Sequence, residues 1–151
     1  MAKYRFRLET LRKLRAAQRD ELRRKLAEAH QAVAMLEEQR QAVEEEIVAL
    51  QHAQRNTTQA PTTDVNRLLE AHRYLAVLRA QQNTLQNQAQ LLTEEVERRR
   101  ERVVEADRQV RVLDKLDERK QREHELASLR AEVKELDEVA SRTREATPPW
   151  Q

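Results

Sequence analysis

The sequence predicts an all-α fold. Two long helices form an antiparallel coiled-coil hairpin, the second longer than the first and ending in a C-terminal overhang. Three observations predict it. The 151 residues include no glycine, and charged residues make up 37% against 3% aromatic, too polar a mixture for a thick globular core. Apolar residues recur at alternating steps of three and four, the repeat of a coiled-coil seam. One short polar stretch containing Pro61 divides that pattern in two.

The first helix reads as residues 4–55. From Leu22 the seam runs Leu26, Ala29, Val33, Leu36, Val43, Ile47 and Leu50, interrupted only by Arg40. Upstream the stripe is Tyr4, Leu8, Leu11 and Leu14, with Arg15 and Gln18 at weaker positions, which implies a shift of phase near residues 15–22. Residues 56–64 read as a loop. Thr63 or Asp64 is suited to cap the next helix by accepting from a free N–H of its first turn.

The second helix reads as residues 65–145, with a seam at Leu75, Leu78, Leu85, Ala89, Leu92, Val96, Val103, Ala106, Val110 and Leu113. Gln82 and Arg99 are its polar exceptions. Two seams joined by a short loop most simply zip together. Folding about residue 60 sets Leu50 against the region of Glu70 and Tyr4 against the region of Leu116. A polar gap, residues 114–125, follows. The stripe then resumes one register out of step at Leu126, Leu129, Val133, Leu136 and Ala140, a seam with no partner in the hairpin. This overhang would extend roughly 40 Å at 1.5 Å per residue. Residues 1–147 thus read as a single hairpin and 148–151 as a non-helical tail.

Composition excludes most chemistry. Without glycine there is no phosphate-cradling loop, dinucleotide fingerprint or nucleophile elbow, and without cysteine there is no thiolate metal site or cysteine nucleophile. His30, His52, His72 and His124 are scattered away from carboxylates at ligand spacing. Glu44, Glu45 and Glu46 splay around a helix axis. Arg98, Arg99, Arg100 and Arg102 have acidic neighbours at i,i+3 and i,i+4, so a salt-laced surface explains them. The reading is a non-enzyme with no cofactor and no metal. No apolar run reaches the length of a membrane span.

Charge is uneven although the net is only +2. Residues 1–25 carry ten Lys/Arg and three acids. Such a segment suits nucleic acid, an anionic membrane surface, or an acidic protein surface whose complementary charge orients docking. The leucines threaded through it speak against a helix lying in a DNA groove.

The opening residues Tyr4-Arg-Phe-Arg-Leu-Glu-Thr-Leu-Arg-Lys-Leu-Arg15 resemble the start of the flagellar export proteins of the FliJ family. Lys134-Glu-Leu-Asp-Glu-Val-Ala140 resembles that family's C-terminal signature, and the resemblance spans about residues 1–145. It implies a non-catalytic component of the flagellar type III export apparatus. Such a component is cytoplasmic, and peripherally associated with the inner membrane at the flagellar base. The partners implied are the hexameric export ATPase, the cytoplasmic domain of the export-gate membrane protein and export chaperones, with no nucleic acid among them. A stalk-like coiled coil would couple ATP turnover to export. Arg5, Arg7, Leu8, Leu11, Arg12, Leu14 and Arg15, joined by Leu136, Asp137 and Glu138, would meet the ATPase ring. Tyr74, Leu78 and Leu85 resemble the gate-binding stripe. Gln81 departs from it where a small apolar residue would suit, and Leu78 and Leu85 also fall on the intramolecular seam. The alternatives are a basic coiled coil on nucleic acid or a membrane surface, and the equivalent stalk of a virulence secretion system.

Overall fold

The computed structural model describes residues 3–58, 62 and 64–145, with side chains through residue 142. It contains two helices, α1 (Glu9–Thr58) and α2 (Val65–Glu145), packed against each other, with no strand among the described residues. The second helix is the longer, as the hairpin reading requires. None of the described residues adopts a positive φ, in keeping with a chain that has no glycine. Pro61, Thr63 and the tail at 148–151 lie outside the described residues.

The helix ends have local causes. Helix α1 starts at Glu9, five residues after the point suggested by periodicity. Lys3 to Phe6 are non-helical, with Tyr4 and Phe6 half-buried and Lys3, Arg5 and Arg7 exposed. That two-residue alternation belongs to extended backbone, in which successive side chains point to opposite sides. The turn closes where Glu9 N donates to the Phe6 carbonyl at 3.3 Å, and Glu9 places an acid at the positive end of the helix. At its other end α1 continues through Thr57 and Thr58. The Thr58 hydroxyl donates to the Arg55 carbonyl at 2.9 Å, covering an acceptor that the helix end leaves open. Asp64 caps α2, its Oδ1 accepting from Asn66 N at 3.0 Å and Arg67 N at 3.4 Å.

The contacts divide the chain into two compact units, Met1–Arg19 with Glu105–Gln151, and Asp20–Val104. In the second unit the core holds Ile47, Leu75 and Leu78, with Val43 and Leu50 packed against them. Leu50 packs against this cluster, close in sequence to the region of Glu70 that it was expected to face. Every α2 seam position from Leu75 to Val103 is buried or half-buried, including Gln82 and Arg99. These two polar residues are satisfied where they sit. Gln82 Nε2 donates to Glu44, and Arg99 donates to the Lys25 carbonyl at 2.6 Å and to Glu95 Oε1 at 2.8 Å. On α1 the expected seam is covered too, except Val33, which is 36% exposed.

The first unit is built differently. Val110 is buried and Leu113 and Leu116 half-buried on α2, but the α1 positions that face inward are Arg12, Arg15, Ala16 and Arg19. These lie at steps of three and four counted back from Leu22, so the burial pattern of α1 keeps its phase. The expected phase shift is absent. The apolar stripe leaves the seam, and Leu8, Leu11 and Leu14 remain 37%, 38% and 54% exposed. Arginine takes their place because α2 offers acids opposite: Arg12 Nη1 lies 2.7 Å from Asp117 Oδ2 and Arg19 Nη1 lies 3.8 Å from Asp107 Oδ1.

Candidate protein-docking surfaces

Three surfaces emerge from this packing. The first lies at the non-helical N-terminal segment. Asp117 holds it, since the Tyr4 hydroxyl donates to Asp117 Oδ1 at 2.8 Å while Arg12 donates to the other oxygen at 2.7 Å. The Tyr4 ring rests on His124 with centroids 5.7 Å apart, and the Arg12 guanidinium lies 5.6 Å over the Phe6 ring. With Tyr4 and Phe6 turned inward, Lys3, Arg5 and Arg7 form an exposed basic row without an ion pair among the described residues. Leu8, Leu11 and Leu14 continue from it as exposed apolar groups. Arg12 is spent on Glu9, Asp114 and Asp117, and Arg15 donates to Gln18 at 3.1 Å.

Asp117 and Asp107 were hidden within what reads as hydrophilic sequence. Their signal is positional: stepping the seam on from Val110 by threes and fours reaches Asp114 and Asp117, opposite the arginines of α1.

Tyr4 carries a measurable mark of this arrangement. Its pKa is pushed up to about 12, first by desolvation and then by the hydrogen bond to Asp117. Tyr74, the other tyrosine, is also raised, chiefly by its hydrogen bond to Glu46. A phenol raised above its unfolded value contributes stability below about pH 10, and that contribution is lost as pH rises toward about 12. Tyrosinate absorbance should therefore remain low at pH 10 and develop late. Tyr4→Phe should remove the last-titrating component. Half-ionisation of both phenols at pH 10 would contradict the geometry.

The second surface surrounds Tyr74, which is 46% exposed and donates its hydroxyl to Glu46. The three residues of the candidate gate stripe are placed differently. Leu78 is 2% exposed and belongs to the hairpin core, and Leu85 is half-buried on the seam. An open groove runs beside them, lined by Val77, Ala80, Gln81, Thr84 and Leu85 from α2 and by Ala42 from α1. Of the three stripe residues, Tyr74 and part of Leu85 remain accessible, beside the exposed Val77.

The third surface is the overhang. Leu126, Leu129, Val133 and Leu136 are 54%, 57%, 56% and 68% exposed, and Asp137 and Glu138 are exposed beside them. Leu136 lies twelve residues beyond His124, the residue stacked on Tyr4, or roughly 18 Å along the helix. The N-terminal and C-terminal members of the expected ring-binding set are thus not brought together within this chain.

Elsewhere the charged surface is laced. Arg98 and Arg99 both pair with Glu95, at 3.3 and 2.8 Å, and Arg100 pairs with Glu97 at 3.9 Å. The hydrogen bond from Arg99 holds the Glu95 carboxyl below its usual range. Among the described residues no group of three or more His, Asp or Glu is placed to hold a metal ion, and no helix is long and apolar enough to cross a membrane.

Neither a curated protein nor a solved structure matches the chain. The family model described as flagellar FliJ protein matches residues 4–145, nearly the whole length and both helices. A coiled-coil chain with this match belongs to the FliJ family, a non-enzymatic component of the flagellar type III export apparatus.

Proposed function

We propose that this protein is the stalk of the export apparatus. It binds the hexameric export ATPase, contacts the cytoplasmic domain of the export gate, and escorts export chaperones, working peripherally at the inner membrane without binding nucleotide. The observation that carries this reading is the displacement of Leu8, Leu11 and Leu14 from the seam by ion-paired arginines. Three leucines left open beside the exposed row of Lys3, Arg5 and Arg7 provide a face that is both apolar and basic, suited to a charged protein wall. Rim contacts of this kind exchange more readily than a buried apolar plug, as a stalk among changing ATPase sites requires. Leu136, Asp137 and Glu138 contribute from the overhang, at a separate level along the axis of α2. Tyr74, with Val77 and the rim of Leu85, serves the gate; Leu78 supports that surface from beneath.

The test is the ATPase rate and hexamer formation of the flagellar export ATPase with and without the full chain. Stimulation and co-elution are the expected results; no change in either overturns the stalk reading. The exposed Lys3, Arg5 and Arg7, without an ion pair among the described residues, favour one second reading, attachment to DNA or an anionic membrane surface. It would be recognised by binding that falls steeply with salt, in the absence of affinity for the ATPase. Affinity for a virulence secretion ATPase in preference to the flagellar one would assign the stalk to that system.

A further inference from the structure

We propose that residues 126–140 pair with the same segment of a second copy of this chain, as a short antiparallel coiled coil. The overhang needs a partner on physical grounds. A helix of this length without tertiary cover is marginal in water, because most helix stability in proteins comes from packing an apolar face. Ion pairs within the helix, Arg119–Glu123, Lys120–Glu123 and Arg122–Glu118, support only the stretch before Leu126. Beyond it, Leu126, Leu129, Val133 and Leu136 stand open at coiled-coil spacing, with Ala140 continuing the series.

The flanking charges identify the occupant. With Leu126, Val133 and Ala140 at the first seam position of the heptad and Leu129 and Leu136 at the second, Arg130 and Asp137 occupy equivalent flanking positions. Two antiparallel copies set those positions against each other, so Arg130 meets Asp137 of the second copy, and by symmetry the pair forms twice. In an antiparallel pair the first seam position of one copy packs against the second seam position of the other, so the same register lays Val133 against Leu136 and Leu129 against Ala140 of the second copy. A parallel pair would instead set Glu132 against Asp137, two like charges. None of Arg130, Glu132, Lys134 and Asp137 has an ion pair within its own chain among the described residues. Elsewhere along α2, arginines and acids pair repeatedly. Arg130 and Lys134 are in fact like charges at i,i+4, an arrangement that an isolated helix gains nothing from.

The contact is small. Two heptads bury on the order of 1,000 Å² or less in total, below the size of a stable complex, so the dimer is weak and exchanges readily. It uses Leu136 and Asp137, which the stalk reading assigns to the ATPase, so pairing and ring binding exclude each other. The pairing itself does not depend on that reading.

The experiment uses the full chain. Sedimentation should show a monomer giving way to a dimer as concentration rises, and Leu129→Glu should abolish the dimer. Asp137→Arg should weaken it about tenfold, by replacing two attractions with two repulsions, and Arg130→Asp combined with Asp137→Arg should restore it. The absence of natural cysteine allows a direct reading of direction. A mixture of Leu129→Cys and Ala140→Cys chains should cross-link under oxidation, and Leu129→Cys alone should not. A chain that stays monomeric at every concentration, a dimer untouched by Leu129→Glu, or efficient cross-linking of Leu129→Cys alone overturns the proposal. Protection of the stripe by the export ATPase in a chain that never dimerises would overturn it as well, and assign the surface to the ring.

Discussion

Replacing Leu78 with alanine is expected to destabilise the protein by about 3 kcal/mol, the usual cost of truncating a well-packed buried leucine. Leu78 is 2% exposed and shares its cluster with Ile47 and Leu75. The loss combines the burial of the removed methyl groups with the cavity left between two helices that have little else to collapse onto it. Thermal or denaturant unfolding followed by helical circular dichroism measures the effect. The paired control is Leu136→Ala, which removes the same atoms from a side chain that is 68% exposed and should change stability by no more than about 0.5 kcal/mol. Equal effects at the two positions would mean that Leu78 does not sit in the interior. A gate contact made directly by Leu78 would be inconsistent with a large effect in the free protein, since the side chain cannot fill the core and a partner's pocket together.

Replacing Leu11 with aspartate is expected to do the reverse. Leu11 is 38% exposed and lies outside the core cluster, so stability should shift by only about 0.5 kcal/mol. Binding to the export ATPase should weaken by about 2 kcal/mol, roughly 30-fold, because a carboxylate would be driven into an apolar part of the interface. Stimulation of ATP hydrolysis should fall in parallel. Titration of the ATPase with each chain separates affinity from stability. Unchanged binding would remove Leu11 from the ring-facing set, and a large loss of stability would place it in the seam after all. Together the substitutions at Leu78 and Leu11 divide core from surface on the basis of exposure alone.

Much of this division is legible in the sequence, and the part that is not has a common cause. Leu75, Leu78, Leu85, Ala89, Leu92 and Val96 follow the seam because a buried helix face selects apolar residues at its own period. Gln82 and Arg99 could be placed as exceptions by counting. Arg12, Arg19, Asp107 and Asp117 defeat the same counting. A hydrophobic pattern registers a seam only where both helices bury apolar groups, and here opposite charges from distant segments satisfy each other instead. The leucines at 8, 11 and 14 then look like the seam, although they lie beside it. The start of α1 at Glu9 escapes the periodicity for a related reason. Tyr4 and Phe6 fit a helical stripe and an extended alternation equally well, and the choice rests on Asp117, 113 residues from Tyr4.

By itself the sequence determined the helical class, the two segments and their unequal lengths, the loop, the seam of the second helix from Leu75 to Leu113 and the family to which the chain belongs. All are written in local spacing or in contiguous motifs. Only the tertiary structure decided that Leu78 is core while Tyr74 is surface, that Arg12 is bound to Asp117 while Arg5 and Arg7 have no ion pair among the described residues, and that Leu136 lies a dozen residues past His124, which stacks on Tyr4. Those outcomes depend on which side chain of one helix arrives opposite which of the other. Periodicity along a single helix carries the spacing of its residues but not the identity of their partners.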